Sequence, residues 1–326
     1  MYNQIEVLEE NSPIVIKLGV DIGNSFVNVC GEMDYYRVFD SCLEENYGAE
    51  FEEGDNTITY KDRNYTVSQG NLTAESAPRR DLNNYEILGL FAICRYIKDR
   101  DINTSKRDVI VHMCIGLPTA DYNQNKDTYR ALFDKKDIEC IFESQKIKFR
   151  IDETRVVPQG TVVAYIYRDI FKNVSLGYLI DWGSFTVDVQ CIRNGEIVKN
   201  EKRSYEVGVM RMLSEIGDVM KRLGAGFTSL KDIERALIDG KFITESGIVG
   251  IDNEQIQSVI RKRLKTITDT MKLEMGGLRS SNKTFVIGGG ALVFGEILKE
   301  LFVSCEPAQD AEKLNSKAYY TFIGGR

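Results

Sequence analysis

Two short stretches of this sequence carry residues that could grip a phosphate, and they are related to each other. Val20 to Val29 reads VDIGNSFVNV and Ile180 to Val189 reads IDWGSFTVDV, so Asp21/Asp181, Gly23/Gly183, Val27/Val187 and Val29/Val189 fall in register 160 positions apart. Each copy is an apolar strand that delivers an aspartate, turns through a glycine and small polar residues, and re-enters as a strand alternating with period two. Such a turn can aim backbone N–H groups at an anion. Two of them facing each other would hold a polyphosphate from both sides, with Gly23, Asn24 and Ser25 on one wall and Gly183, Ser184, Phe185 and Thr186 on the other. The two carboxylates would then organise a cation. Mg²⁺ sheds water reluctantly, so Asp21 and Asp181 are expected to hold it through its water shell.

Two further features fit the same chemistry. Gly288, Gly289 and Gly290 lie between the apolar strand Phe285-Val286-Ile287 and a helix-like continuation. Without Cβ atoms, their backbone can lie flat against a nucleoside or its α-phosphate near a helix N-terminus. Gln159 follows Pro158 at the start of an apolar helix that the proline is expected to open, 22 residues before Asp181. A glutamine there can orient water for in-line attack on a γ-phosphate without being a strong base. His112, the single histidine, sits inside an apolar strand and reads as structural, which argues against histidine-based catalysis. Trp182 reads as a packing residue and Arg261 to Lys265 as a solvated helix face.

The elements that must position these residues follow from patterning. After the first turn come a strand at Tyr35 to Phe39, then a polar segment with a hairpin, Asn56 to Tyr60 and Asn64 to Ser68, taken as an insertion forming its own lobe to about Arg80. A helix is expected from Asn84 to Lys98, a buried strand from Asp108 to Pro118 and a helix around Lys126 to Phe133. The second half begins near Gln145 with a strand. Asn194-Gly195 signals a hairpin, and helices are expected from Gly208 to Leu223, from Ser229 (a Ser cap) to Leu237, and from Asp252 to about Met275, with Asp252 capping and Gln255 reaching back. The tail Ala318 to Gly325 is expected to be a helix returning to the first domain. Alternation of this kind points to an α/β fold with helices on sheet faces.

Bulk properties narrow the function. A chain of 326 residues suits two domains. The net charge of −7 and isoelectric point near 5.1 argue against direct binding of nucleic acid or an anionic membrane, so any DNA connection would need an adaptor. The seven cysteines form no C-x-x-C pair and several sit in apolar runs, as expected of a cytoplasmic protein without disulfides or zinc. The acidic start MYNQIEVLEENSP is unlike a signal peptide, and no apolar run reaches the roughly 18 residues of a membrane span.

The order Asp21-Ile22-Gly23, Pro158-Gln159-Gly160, Asp181-Trp182-Gly183-x-x-Thr186 and Gly288-Gly289-Gly290-Ala291 resembles the phosphate-1, connect-1, phosphate-2 and adenosine motifs of the actin, sugar-kinase and Hsp70 ATPase superfamily. The resemblance runs from Val15 to the end of the chain. Ile115 to Lys126 (IGLPTADYNQNK), the IGGGA run and the final AYYTFIGG make it most similar to bacterial actins of the ParM plasmid-segregation type. That resemblance implies an actin-like, ribonuclease H-like duplicated fold with two lobes, four subdomains and a central nucleotide cleft. The first lobe would span 1–150, with the insertion at about 41–80 and the helix of 310–326 packing back on it; the second would span 151–309, with a helical insertion at about 209–270. It also implies an ATPase that binds ATP (or GTP) with Mg²⁺ and assembles head to tail into filaments, linked to a centromere-like DNA site by a ParR-like adaptor. Gln159 matches the family's water-orienting position, with Asp21 and Asp181 as its catalytic partners. Nucleotide contacts are then expected from both turns, from Gly208, and from Gly288, Gly289, Gly290 and Ala291. One position departs from the family: the lysine usually found seven residues after the first aspartate is Asn28. Two other readings remain open, a non-polymerising nucleotide-binding scaffold, best supported by Asn28, and a small-molecule kinase, for which no dedicated base is apparent beyond the two aspartates.

Overall fold

The computed structural model describes residues 12–47, 54–68, 81–226 and 229–325. Chain order is β1 (Ile14–Ile22), β2 (Phe26–Gly31), β3 (Tyr35–Asp40), β4 (Cys42–Asn46), β5 (Thr57–Tyr60), β6 (Arg63–Ser68), α1 (Leu82–Asp99), β7 (Val109–Leu117), α2 (Thr119–Phe133), β8 (Lys136–Phe142) and β9 (Gln145–Pro158). Then follow α3 (Thr161–Ile166), β10 (Leu176–Trp182), β11 (Val187–Arg193), β12 (Glu196–Tyr205), α4 (Val209–Arg222), α5 (Leu230–Asp239), β13 (Lys241–Thr244), β14 (Gly247–Gly250), α6 (Glu254–Glu274), β15 (Lys283–Ile287), α7 (Gly289–Leu301), β16 (Cys305–Pro307) and α8 (Leu314–Phe322).

The duplication seen in the sequence is a duplication of sheets. One sheet begins β3-β2-β1-β7-β9 and the other runs β12-β11-β10-β15-β16. In both, the first three strands are antiparallel and the next two join in parallel. Each sheet has its own apolar core, one around Leu18, Phe91 and Phe133, the other around Trp182, Leu213 and Phe294. A third cluster, with Val163, Phe171, Phe285 and Tyr319, binds α3 and α8 between the sheets.

Several elements differ from the sequence-based expectation. The passage between sheets comes after Pro158, because β9 pairs with both β7 and β8; the expected boundary at 150 falls inside that strand. The hairpin of β5 and β6 forms as read, but β5 also pairs with β8, so these strands extend the first sheet toward its far edge. Residues 48–53 and 69–80 of that expected insertion lie outside the described residues. The helix expected around Lys126 starts at Thr119, directly after Pro118; it buries only Tyr129 and Phe133, so its early turns carry little apolar signal. The 209–270 region contains, besides helices, the hairpin of β13 and β14. Its last helix is capped by Asn253, whose side chain accepts from the Gln255 N–H, not by Asp252. Ser229 does cap α5, in a reciprocal box with Asp232.

The C-terminal helix α8 packs on β1. The approach is so close that a Cβ on Gly19 would lie 2.0 Å from the Ser316 carbonyl oxygen.

Candidate functional site

The two turns are built alike. Asp21 lies opposite Asn28 across the β1–β2 ladder and Asp181 opposite Asp188 across β10–β11. The Gly23 N–H donates to the Phe26 carbonyl at 2.9 Å, and the Gly183 N–H donates to the Thr186 carbonyl at 2.9 Å. Their backing differs. Behind the second turn stands the start of α4, where the N–H groups of Gly208, Val209 and Met210 donate to the carbonyls of Phe185, Gly183 and Ser184 at 3.0, 3.2 and 2.8 Å. The first turn is instead fastened by Ser41, whose hydroxyl donates to the Gly23 carbonyl at 2.7 Å and whose N–H donates to that of Ser25 at 3.0 Å.

Between the turns lies a cleft of about 370 Å³, lined by Asp21, Gly23, Asn24 and Ser25 from one side and Asp181, Gly183, Ser184, Phe185 and Thr186 from the other. Both aspartates are buried, and each accepts from a carboxamide. Gln159 Nε2 donates to Asp21 Oδ1 at 2.8 Å, and Asn315 Nδ2 donates to Asp181 Oδ2 at 2.8 Å. These carboxamides sit on the two segments that connect the sheets. Gln159 is not on a helix: Pro158 ends β9, and Gly160, at φ 67°, delays α3 to Thr161. The Gln159 N–H donates to the Leu117 carbonyl at 2.7 Å, its carbonyl accepts from the Thr119 hydroxyl at 3.2 Å, and Asn315 Oδ1 accepts from the Gly160 N–H at 3.4 Å. The turn is thereby fixed at both ends.

The glycine run divides by role. Gly288 lines the cleft at φ 84°, and a Cβ there would fall 2.6 Å from Asp181 Oδ1. Gly289, the first residue of α7, has nothing within 4 Å of where its Cβ would stand and also lines the cleft. Gly290 and Ala291 do not. A Cβ on Gly290 would lie 2.3 Å from the Trp182 ring, and Ala291 is buried in the second core. Gly208 is likewise withdrawn from the cleft, because its Cβ position is 2.4 Å from the Ser184 carbonyl; all three support the walls rather than form them. Trp182 packs fully buried, as read. His112 lies in β7 with its imidazole 3.9 Å from a Glu153 carboxylate oxygen and lines no part of the cleft.

Among the described residues the cleft carries five carboxylates, Asp21, Asp181, Asp188, Glu234 and Glu312, and no lysine or arginine side chain lines it. A polyphosphate would enter such a wall only together with cations. Mg²⁺ suits the donor set, since two carboxylates can hold its water shell while phosphate oxygens complete it. Among the described residues no group of three or more histidine, cysteine, aspartate or glutamate side chains forms a ready-made metal cage. The phosphate side fits as well: Ser25 Oγ and Asn24 Oδ1 are buried at the first turn with no hydrogen-bond partner among the described residues. A hydroxyl buried in that way needs an acceptor, and a phosphate oxygen would be one. Asn28 does not reach out as a lysine would. Its Oδ1 accepts from the Tyr36 hydroxyl at 2.7 Å, and burial, reinforced by Glu312, holds that phenol well above its ordinary range and therefore protonated.

Tyr36, Asp188, Glu234, Glu312 and Asn315 were not anticipated as lining residues. Asp188 was within reach, since it occupies the second copy's equivalent of Asn28. The others arrive from distant parts of the chain, and no local spacing announces them.

The comparisons agree with this geometry. Residues 19–161 match the family model for the N-terminal domain of actin-like proteins, and residues 179–300 match the model for the C-terminal domain of archaeal MreB-like actin homologues. The chain belongs to the actin-like superfamily and has its two-lobed fold. Among solved structures, it is similar to the archaeal actin homologue Ta0583 in complex with ADP (TM-score 0.71, 17% identity, 94% of this chain and 98% of that one). It is also similar to the actin-like protein Alp7A (TM-score 0.73, 13% identity, 95% and 96%) and to a 15-stranded ParM filament from Clostridium botulinum (TM-score 0.68, 15% identity, 95% and 99%). No curated protein sequence matches the chain. Among the described residues no helix is long and apolar enough to cross a membrane.

Proposed function

We propose that this chain is a nucleotide-dependent, filament-forming ATPase that moves plasmid DNA through a DNA-binding adaptor of the ParR kind. The observation that carries the nucleotide part is the pair of identically closed turns facing one cleft, each with a buried aspartate held by a carboxamide. Bound Mg²⁺ would neutralise phosphate charge and the acidic wall. Asp21 and Asp181 would hold its water shell, Ser25 and the turn amides would take phosphate oxygens, and Gln159, anchored on Asp21, would keep its carboxamide where an attacking water must be oriented. The nucleoside would lie toward Gly288 and Gly289. Solved filaments of similar fold support self-assembly as the output, and the acidic charge of the chain favours an adaptor over direct DNA contact.

Light scattering and pelleting with Mg²⁺ and ATP, GTP, ADP or no nucleotide test the reading. A nucleoside triphosphate should bring the protein into the pellet as filaments visible by electron microscopy, and phosphate release should follow assembly. A chain that binds nucleotide yet stays monomeric at high concentration would instead be a scaffold, the reading that the uncharged Asn28 favours.

A further inference from the structure

The duplicated turns differ in one respect that bears on how the cleft closes. The second is completed entirely within its own lobe, by the start of α4. The first is not. Lys231, on the first turn of α5 in the opposite lobe, reaches it with its ammonium group 2.8 Å from Asp40 Oδ1, 3.1 Å from Glu234 Oε2 and 3.3 Å from the Ser25 carbonyl oxygen, while lying 3.6 Å from the centre of the Phe26 ring. Its side chain is 6% exposed. The β2–β3 ladder explains the convergence, because Asp40 stands directly opposite Phe26. One buried cation thus meets the carbonyl, the aromatic face and the carboxylate that together make the outer side of the first turn.

From this geometry we infer that Lys231 is a positioning residue that acts as a clasp between the lobes, so that the first phosphate turn is ordered only when the cleft is closed. The ammonium donates to Ser25 while neutralising Asp40 and Glu234, which would otherwise be buried carboxylates without a counter-charge. Opening the lobes removes all three partners on one side at once, so nucleotide exchange and loosening of residues 23–31 become one event. The assignment of the turn to phosphate rests on the proposed function; the clasp itself rests on the contacts of Lys231 alone.

Native-state hydrogen exchange on the nucleotide-free full chain separates the two. Lys231→Met should speed exchange of the Ser25 to Val29 amides roughly tenfold or more while the Gly183 to Val187 amides keep their wild-type rates. Asp40→Asn, which leaves α5 with its Glu234 partner, should do the same more weakly. Combining Lys231→Glu with Asp40→Lys, which places a lysine opposite both glutamates, should restore slow exchange. Unchanged exchange in both single variants, or equal loosening of the two turns, overturns the clasp. Release of a fluorescent ATP analogue, followed in parallel, should be faster in both single variants. If the wild-type chain binds no analogue while the first turn loosens as stated, the clasp stands and the nucleotide reading falls.

Discussion

Gln159 and Asn315 make the same gesture on opposite walls, each offering a carboxamide N–H to one aspartate. Their substitution should separate two functions. Gln159→Ala removes the group proposed to hold the attacking water but leaves both turns, so phosphate release should slow on the order of 10²-fold while nucleotide affinity changes little, as single-turnover kinetics beside equilibrium binding would show. Asn315→Asp sets a carboxylate against Asp181. Its expected signature is a higher Mg²⁺ concentration for half-maximal nucleotide binding, read from a titration, with smaller effect at saturating Mg²⁺. Gly288→Ala combines a strained φ of 84° with a clash at Asp181 Oδ1 and should abolish nucleotide binding in the same assay. These residues were unequally readable from sequence. The aspartates and glycines of both turns were, because each copy vouches for the other, whereas Asn315 lies in a helix whose pattern speaks only of packing. Lys231 carries no local sequence signal, because its partner Asp40 lies 191 positions away.

At the scale of elements, the strands were easier to foresee than the joints between them. Apolar runs located β1 and β10, period-two alternation located β2 and β11, and Asn194-Gly195 marked the turn before β12. What patterning missed was decided by single backbone conformations. A proline that ends β9 looks the same in sequence as one that opens a helix, and only the positive φ of Gly160 shows that a free-standing turn intervenes. The β13–β14 hairpin turns at Glu245-Ser246 before Gly247, without the Asn-Gly pair that announces such turns. Joints also carry stability. Glu143, just past the end of β8, pairs with the half-buried Arg95 and the exposed Lys98 of α1 and accepts from the Asn56 N–H beside β5. Burial pushes its carboxyl up, but Lys98, the Asn56 N–H and Arg95 outweigh it and bring it below its ordinary 4.5. A depressed carboxylate stabilises the fold above its unfolded-state value and loses that contribution as pH falls through the folded one. Glu143→Gln should therefore destabilise the fold at neutral pH by on the order of 1 kcal/mol, and chemical denaturation of variant and wild type should converge as the pH falls below 4.5.

For the molecule as a whole, the consequence of duplication is that two related sheets meet at one shared cleft. They are joined by two crossing segments, the turn after Pro158 and the start of α8, whose Gln159 and Asn315 side chains touch the aspartates. The third apolar cluster keeps α3 and α8 in contact with both sheets, so movement of one lobe is felt at both connections. The return of α8 onto β1 is part of that linkage. Gly19→Val would drive a side chain into the Ser316 carbonyl and Tyr320 backbone, and should lower stability by about 2–3 kcal/mol, measurable by urea denaturation, and weaken assembly with it.

The central claim is that one magnesium-bound nucleotide is held between the two turns. A structure of the chain with Mg²⁺ and a non-hydrolysable ATP analogue tests it most directly. The phosphates should lie between Gly23–Phe26 and Gly183–Thr186, with Ser25 Oγ donating to one of them, the cation's waters on Asp21 and Asp181, and the nucleoside over Gly288 and Gly289. A ligand bound elsewhere, or touching one turn while the other stays remote, would contradict the account.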